Sequence, residues 1–161
     1  MPMPFGWREL ESLSRSRFLD VGCGSGQTVA LTKQLGWQAT GLGVDPLAVR
    51  EARLGGLDIV EGTFEQLFNF EGKLDCVMCS HVLKHVHQPL QLLALLHASL
   101  RPGGALLLTL PNVLSAVRQH FGVNWRGLGS APTSVHPSAT LSPAVCGGGW
   151  VCSGVAVRCA R

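Results

Sequence analysis

Between Phe18 and Gln27 the chain reads FLDVGCGSGQ, an apolar run closed by Gly22, Gly24 and Gly26 on alternate positions. An apolar run that stops in glycines and passes into a helix-compatible stretch predicts a buried strand, a tight turn and a helix. Such a turn aims backbone N–H groups and the positive end of a helix at whatever sits above the sheet. The spacing is not the GxGxxG of dinucleotide folds, and no Lys-Ser or Lys-Thr pair follows to cradle a phosphate. Asp20, at the end of the strand, repels a pyrophosphate but suits a ligand with a positive centre and an ammonium group.

The rest of the chain extends this pattern. Strand character recurs over residues 38–44, 57–60, 74–79 and 105–110. Helical stretches separate these strands: residues 27–35 closed by Gly36, a second opened by Asp45-Pro46, and a third opened by Pro89. In the third, Leu90, Leu93, Leu96, His97 and Leu100 recur at helical spacing, RPGG stops it, and His97 is expected in the core. A further helix is expected over residues 111–121. Strands alternating with helices define an α/β fold, a Rossmann-like doubly wound and mostly parallel sheet with helices on both faces. With 161 residues, 46% of them hydrophobic, the chain suffices for one domain with one core.

Asp45 follows the second strand, where a carboxylate accepts both hydroxyls of a ribose. It is also suited to cap the helix that begins at Pro46. A ligand with a ribose, a cationic centre and no phosphate is S-adenosylmethionine. Four segments, FLDVGCGSGQ, GLGVDP, KLDCVMCSHVLKHVHQP and LRPGGALLLTLPN, resemble in order and spacing the motifs of class I S-adenosylmethionine-dependent methyltransferases. The resemblance covers residues 16–128 and is greatest to the small-molecule branch that includes ubiquinone-type O-methyltransferases.

The resemblance implies that Asp20, Gly22, Cys23, Gly24 and Gly26 line the methionine end of the cofactor, with Asp45 on the ribose. It sets Thr63 and Phe64 at the adenine, with Thr63 where relatives usually carry an acid, and Ser80 and His81 beside the methionine moiety. His85 is the candidate general base for transfer to a small-molecule acceptor. The ubiquinone-type relatives hold a divalent ion with two acids after the fourth strand. Here those positions are His81 and Lys84, which argues against a metal. Cys76 and Cys79 look like half a metal site, but residues three apart on a strand face opposite ways, so both are expected in the core. The alternatives are a catalytically inactive S-adenosylmethionine-binding fragment and, against the glycine spacing, a nucleotide-binding oxidoreductase.

Every acidic residue lies between Glu9 and Asp75, and the basic residues beyond are spread thinly without a run, which argues against a nucleic-acid partner. No apolar run approaches the ~20 residues of a membrane span, and the start of the chain lacks a signal core, so a cytoplasmic protein is expected. The organisation expected is a lead segment over residues 1–17, a methyltransferase domain over 18–128, and an atypical Pro/Gly/Cys-rich tail over 129–161. The lead segment is shorter than the helices relatives place over their site. The tail departs abruptly from the family pattern, in a way that a shift of reading frame after Leu128 accounts for. The family's final antiparallel hairpin is therefore expected to be missing or irregular, with one sheet edge exposed, although a short strand over residues 154–158 is compatible with the sequence.

Overall fold

The computed structural model describes residues 16–111 and 152–158, with Leu10 and Leu13. Strand β1 (Arg17–Val21) lies inside the sheet and is buried at every residue but Arg17. Its side chains alternate between two apolar layers, Phe18 in one and Leu19 and Val21 in the other. Strands β2 (Gln38–Gly43), β3 (Asp58–Glu61), β4 (Leu74–Ser80), β5 (Leu100–Pro111) and β6 (Cys152–Arg158) complete a sheet of order β3-β2-β1-β4-β5-β6. The first five strands are parallel, and β6 runs antiparallel to β5. The fold is thus the Rossmann-like, mostly parallel sheet expected.

The helices follow from local chemistry. Helix α1 (Gln27–Gln34) leaves the glycine turn and ends at Gly36, whose φ of 90° suits a residue without Cβ. Helix α2 (Pro46–Leu54) starts on Asp45, whose Oδ1 accepts a hydrogen bond from the Leu47 N–H at 3.0 Å, with Pro46 in the first turn. Helix α3 (Pro89–Ser99) buries Leu92, Leu95, Leu96 and Ser99. This corrects the expected face: Leu90 is 80% exposed and His97 is exposed, not core. Leucine stands at so many positions of α3 that several helical faces are equally apolar, and only packing against β4 and β5 selects one.

Cys76 and Met78 lie in the layer with Phe18, and Val77 and Cys79 in the layer with Leu19. The two cysteines therefore occupy opposite faces of the sheet. Burial is the main reason that both thiols are pushed up to about 12, so they stay protonated. Strand β5 starts earlier than expected and takes in the RPGG stretch. Its pairing with β4 shifts register between Leu74 and Cys76. A Cβ on Gly104 would lie 2.9 Å from the Arg101 carbonyl and 3.1 Å from that of Leu74, so only glycine fits that irregularity.

In the tail, the short strand compatible with the sequence forms. Residues 152–158 pair with β5 from Pro111↔Cys152 to Ala105↔Arg158, so the edge of β5 is covered. The expected helix over 111–121 lies outside the described residues, except that Pro111 ends β5. Among the described residues, no helix is long and apolar enough to cross a membrane.

Two polar groups stand out in the core. Asp75, 8% exposed, accepts from the Arg17 backbone N–H at 2.9 Å and forms an ion pair with Arg101, tying β1, β4 and β5 together at their starts. Asp75→Ala removes both contacts and is expected to cost about 1–3 kcal/mol in urea unfolding, because a part-buried N–H is left without its acceptor. An unchanged unfolding midpoint would show that the clasp contributes nothing. Trp37, 3% exposed, packs edge-on to Phe18 with ring centroids 6.0 Å apart, yet its indole Nε1–H has no hydrogen-bond partner. An orphaned buried donor of this kind costs about 1–3 kcal/mol.

Candidate functional site

In the order β3-β2-β1-β4-β5, the chain turns back on itself between β1 and β4, and open α/β sheets bind ligands outside the carboxyl ends of the strands at such a point. A cleft of about 880 Å³ opens there. Val21 and Gly22 at the end of β1, Leu42 of β2 and Val44 just after it form one side. Ser80 at the end of β4, with His81 and Val82 after it, lines another side, and Thr63, Phe64 and Glu65 a third. His85 and Val86 complete the rim together with His87, Gln88 and Gln91.

The glycine turn has its shape for steric reasons. Gly22, Gly24 and Gly26 have φ of 78°, 51° and 77°, values that disfavour any residue with a Cβ. A Cβ on Gly22 would lie 2.2 Å from Val82 Cγ2, and one on Gly26 2.7 Å from Leu57 Cδ1. Around Gly24 no atom beyond its own chain neighbours lies within 4 Å of that position. The Gly22 and Cys23 N–H groups both donate to the Leu42 carbonyl, at 2.8 and 3.1 Å, and Gly26 N–H donates to the Cys23 carbonyl at 2.8 Å. The first two donors therefore hold the turn against β2 and the third closes the turn on itself, rather than point at a ligand.

Of the residues singled out from the sequence, Gly22, Thr63, Phe64, Ser80, His81 and His85 line this cleft. Asp20, Cys23, Gly24, Gly26 and Asp45 are not among its lining residues. Asp20 is 4% exposed beneath the turn; burial raises its carboxyl to about 7 against a smaller opposing effect of the Thr28 side-chain hydrogen bond. Cys23 packs into the core, where a Cβ on Gly41 would meet its Sγ at 2.7 Å. Burial, helped by the charge of Asp20, pushes that thiol up to about 11. Its side chain thus serves packing between the turn and β2. Asp45 is exposed next to the lining residue Val44.

His81 has a φ of 59°, the only non-glycine among the described residues in the left-handed region. Its N–H donates to the Thr109 carbonyl at 2.9 Å, which holds the backbone in this strained form. Burial, then the nearby Lys84 and His85, lower its imidazole below the usual range, so it is neutral near pH 7. Glu65 escaped the reading of the sequence. Its carboxylate accepts from the Thr63 hydroxyl on the cleft wall, and a Thr-x-Glu at a helix start is the signal that could have found it. Among the described residues, no group of three His, Cys, Asp or Glu side chains is placed to share a metal ion.

A mostly parallel sheet with a glycine turn and a cleft at its switch point defines a nucleotide-type cofactor fold. Comparison with known proteins narrows the class. A family model described as a methyltransferase domain matches residues 7–140, reaching beyond the quoted motifs at both ends. A ubiquinone biosynthesis O-methyltransferase of Xanthomonas campestris is 33% identical over 108 residues, covering 63% of this chain and 45% of that protein. The chain thus spans less than half the length of that relative. A solved S-adenosylmethionine-dependent methyltransferase from Archaeoglobus fulgidus superimposes with a TM-score of 0.64 at 24% identity, over 71% of this chain and 54% of that one. A possible histamine N-methyltransferase from Thermotoga maritima gives 0.61 at 21% identity, over 73% and 57%.

The chain belongs to the methyltransferase-domain family, with the class I fold of S-adenosylmethionine-dependent methyltransferases. The oxidoreductase alternative falls with that match.

Proposed function

We propose that this chain transfers the methyl group of S-adenosylmethionine to a small-molecule acceptor held in the same cleft. The observation that supports this most directly is the position of the cleft, over the switch point between β1 and β4 with the glycine turn on one wall and His81 and His85 on the other. When bound, the cofactor supplies a sulfonium methyl group already activated for in-line displacement. The protein's task is then to bind, orient and exclude water.

The residues present fit that ligand. Gly22 gives a backbone wall where a side chain would strike Val82. Asp45 spends one oxygen on the Leu47 N–H and keeps acceptor capacity for ribose hydroxyls. Glu65, held by Thr63, returns to this wall the carboxylate that the Thr63 position lacks, and so can accept from the adenine amine. Ser80 and His81 face the methionine end, and Asp20 supplies negative charge beneath the turn for its ammonium group. The apolar side chains of Phe64, Val82 and Val86 suit a flat, weakly polar acceptor. Similarity to enzymes named as O-methyltransferases favours an oxygen nucleophile, with His85 taking the hydroxyl proton as the oxygen–methyl bond forms.

Titration calorimetry with S-adenosylhomocysteine tests the cofactor reading, with NAD as control. Asp45→Asn keeps a side chain that caps helices as well as Asp does but removes the charge. Its affinity is expected to fall about tenfold while urea unfolding stays within about 0.5 kcal/mol of the parent. No binding by folded protein, or equal binding of NAD, would overturn the reading. Binding without methylation of any phenol or catechol would instead favour an inactive cofactor-binding domain.

A further inference from the structure

A second cavity, of about 550 Å³, lies at the opposite edge of the sheet. Its lining includes Arg17, Gln38, Asp58 and Leu74, the first residues of β1, β2, β3 and β4. The cofactor cleft opens on the carboxyl ends of these strands, so the two cavities are separated by the length of the sheet. Nothing in the proposed methyl transfer uses this one. Its volume falls within the range of small-molecule sites.

Three observations converge on its chemistry. The Trp37 indole lines it and is 3% exposed, with Gln38, Thr40 and Asn69 as polar neighbours in the same lining, and its covered Nε1–H has no partner. Phe18, Phe70 and Leu74 supply flat and branched apolar surface beside it. The charged lining is Arg17, Lys33 and Lys73 against the single carboxylate of Asp58. Asp58 is already engaged, its Oδ2 accepting from the Thr40 hydroxyl at 2.8 Å. Lys33 and Lys73 each place Nζ 3.0 Å from a backbone carbonyl, of Gly56 and Asn69 respectively, and an ammonium group has three donors to give. An aromatic wall beside a cationic rim recognises an anion attached to a flat apolar body.

We infer that the cavity at the amino-terminal ends of β1–β4 is a second ligand site, taking a small aryl carboxylate whose ring packs against Trp37 and Phe70 and whose charge pairs with the lysines. Benzoate is the first probe, with benzyl alcohol as its neutral counterpart and inorganic phosphate as the anion without a ring. The readout is the Trp37 indole cross-peak in a spectrum of protein labelled with 15N-tryptophan, assigned by its loss in Trp37→Phe.

Benzoate is expected to move that cross-peak saturably, with a dissociation constant of about 1 mM or tighter. Lys33→Gln and Lys73→Gln should each weaken it about two- to fivefold, as partly exposed charge pairs do. S-adenosylhomocysteine affinity, measured on the same variants, should not change, which separates this site from the cofactor cleft. Absence of a saturable shift with benzoate would overturn the inference. So would benzyl alcohol or phosphate acting as well as benzoate, or lysine variants that bind benzoate undiminished.

Discussion

Gly22→Ala is expected to lower stability by about 2–4 kcal/mol and to abolish measurable binding of S-adenosylhomocysteine. Two costs act together. At a φ of 78° a side-chain-bearing residue is held in the left-handed region, at about 1–2 kcal/mol. The new methyl group also falls 2.2 Å from Val82 Cγ2, well inside contact distance, so either the turn or the segment after β4 must move. The turn resists, because the Gly22 and Cys23 N–H groups are both fastened to the Leu42 carbonyl. The segment after β4 is therefore the part expected to shift, and it carries His81, Val82 and His85 into or away from the cleft.

The double variant Gly22→Ala/Val82→Ala separates the two costs. It removes the collision but keeps the backbone penalty, and should recover about half of the lost stability. Urea unfolding of the four proteins closes the cycle. Should Gly22→Ala stay within about 0.5 kcal/mol of the parent, the close approach of β1 and the β4 segment has been misjudged.

The parts of this fold that are legible in the sequence are those whose cause is local. The glycine turn declares itself because positive φ can be met cheaply only by glycine, and the Asp45 cap because its partner is two residues away. Opposite placement of Cys76 and Cys79 needs nothing beyond strand alternation. Other features depend on contacts distant in sequence. The buried face of α3 is chosen by its packing, not by its own leucines, which is why leucine spacing alone sets His97 on the wrong side. Cys23 sits in a stretch that names a ligand-binding turn, yet its thiol packs against Gly41 of β2. The closure of β5 by residues 152–158 joins segments with no shared pattern. The second cavity gathers the starts of four strands that only parallel registry brings together. Within the cleft, the glycines and histidines were visible, but the Thr63–Glu65 pair required the helical turn that places them side by side.

The second large effect concerns Asp20 and pH. Its carboxyl ordinarily titrates near 3.8, but burial beneath the turn lifts it to about 7. Between these values the folded chain holds a proton that the unfolded chain has released. Stability from this group is therefore full below about pH 4 and is lost as pH rises to 7, by roughly 3–5 kcal/mol in all. His81 acts in the opposite sense: its lowered imidazole adds stability as pH rises toward its unfolded value of 6.5. Asp20→Asn should remove the larger, downward slope and expose the smaller, upward one. At pH 8 the variant is expected to be more stable than the parent by about 1–3 kcal/mol, since a neutral amide replaces a buried charge but brings donors that need partners. Urea unfolding of both proteins from pH 5 to 8 is the measurement, and a parent curve that does not fall over that range would contradict it.

The same substitution sets stability against function. A charge that destabilises the empty fold at pH 8 suits a ligand bearing an ammonium group, because the cation favours the ionised carboxyl over the protonated one. On the proposed reading, binding of S-adenosylhomocysteine by the parent tightens as pH rises toward 7 and releases a proton below that pH, whereas Asp20→Asn binds more weakly and without this dependence. Calorimetry in buffers of different ionisation enthalpy measures the proton directly. If parent and variant bind alike at every pH, the Asp20 charge plays no part in recognition and its burial is a cost the fold carries for some other reason.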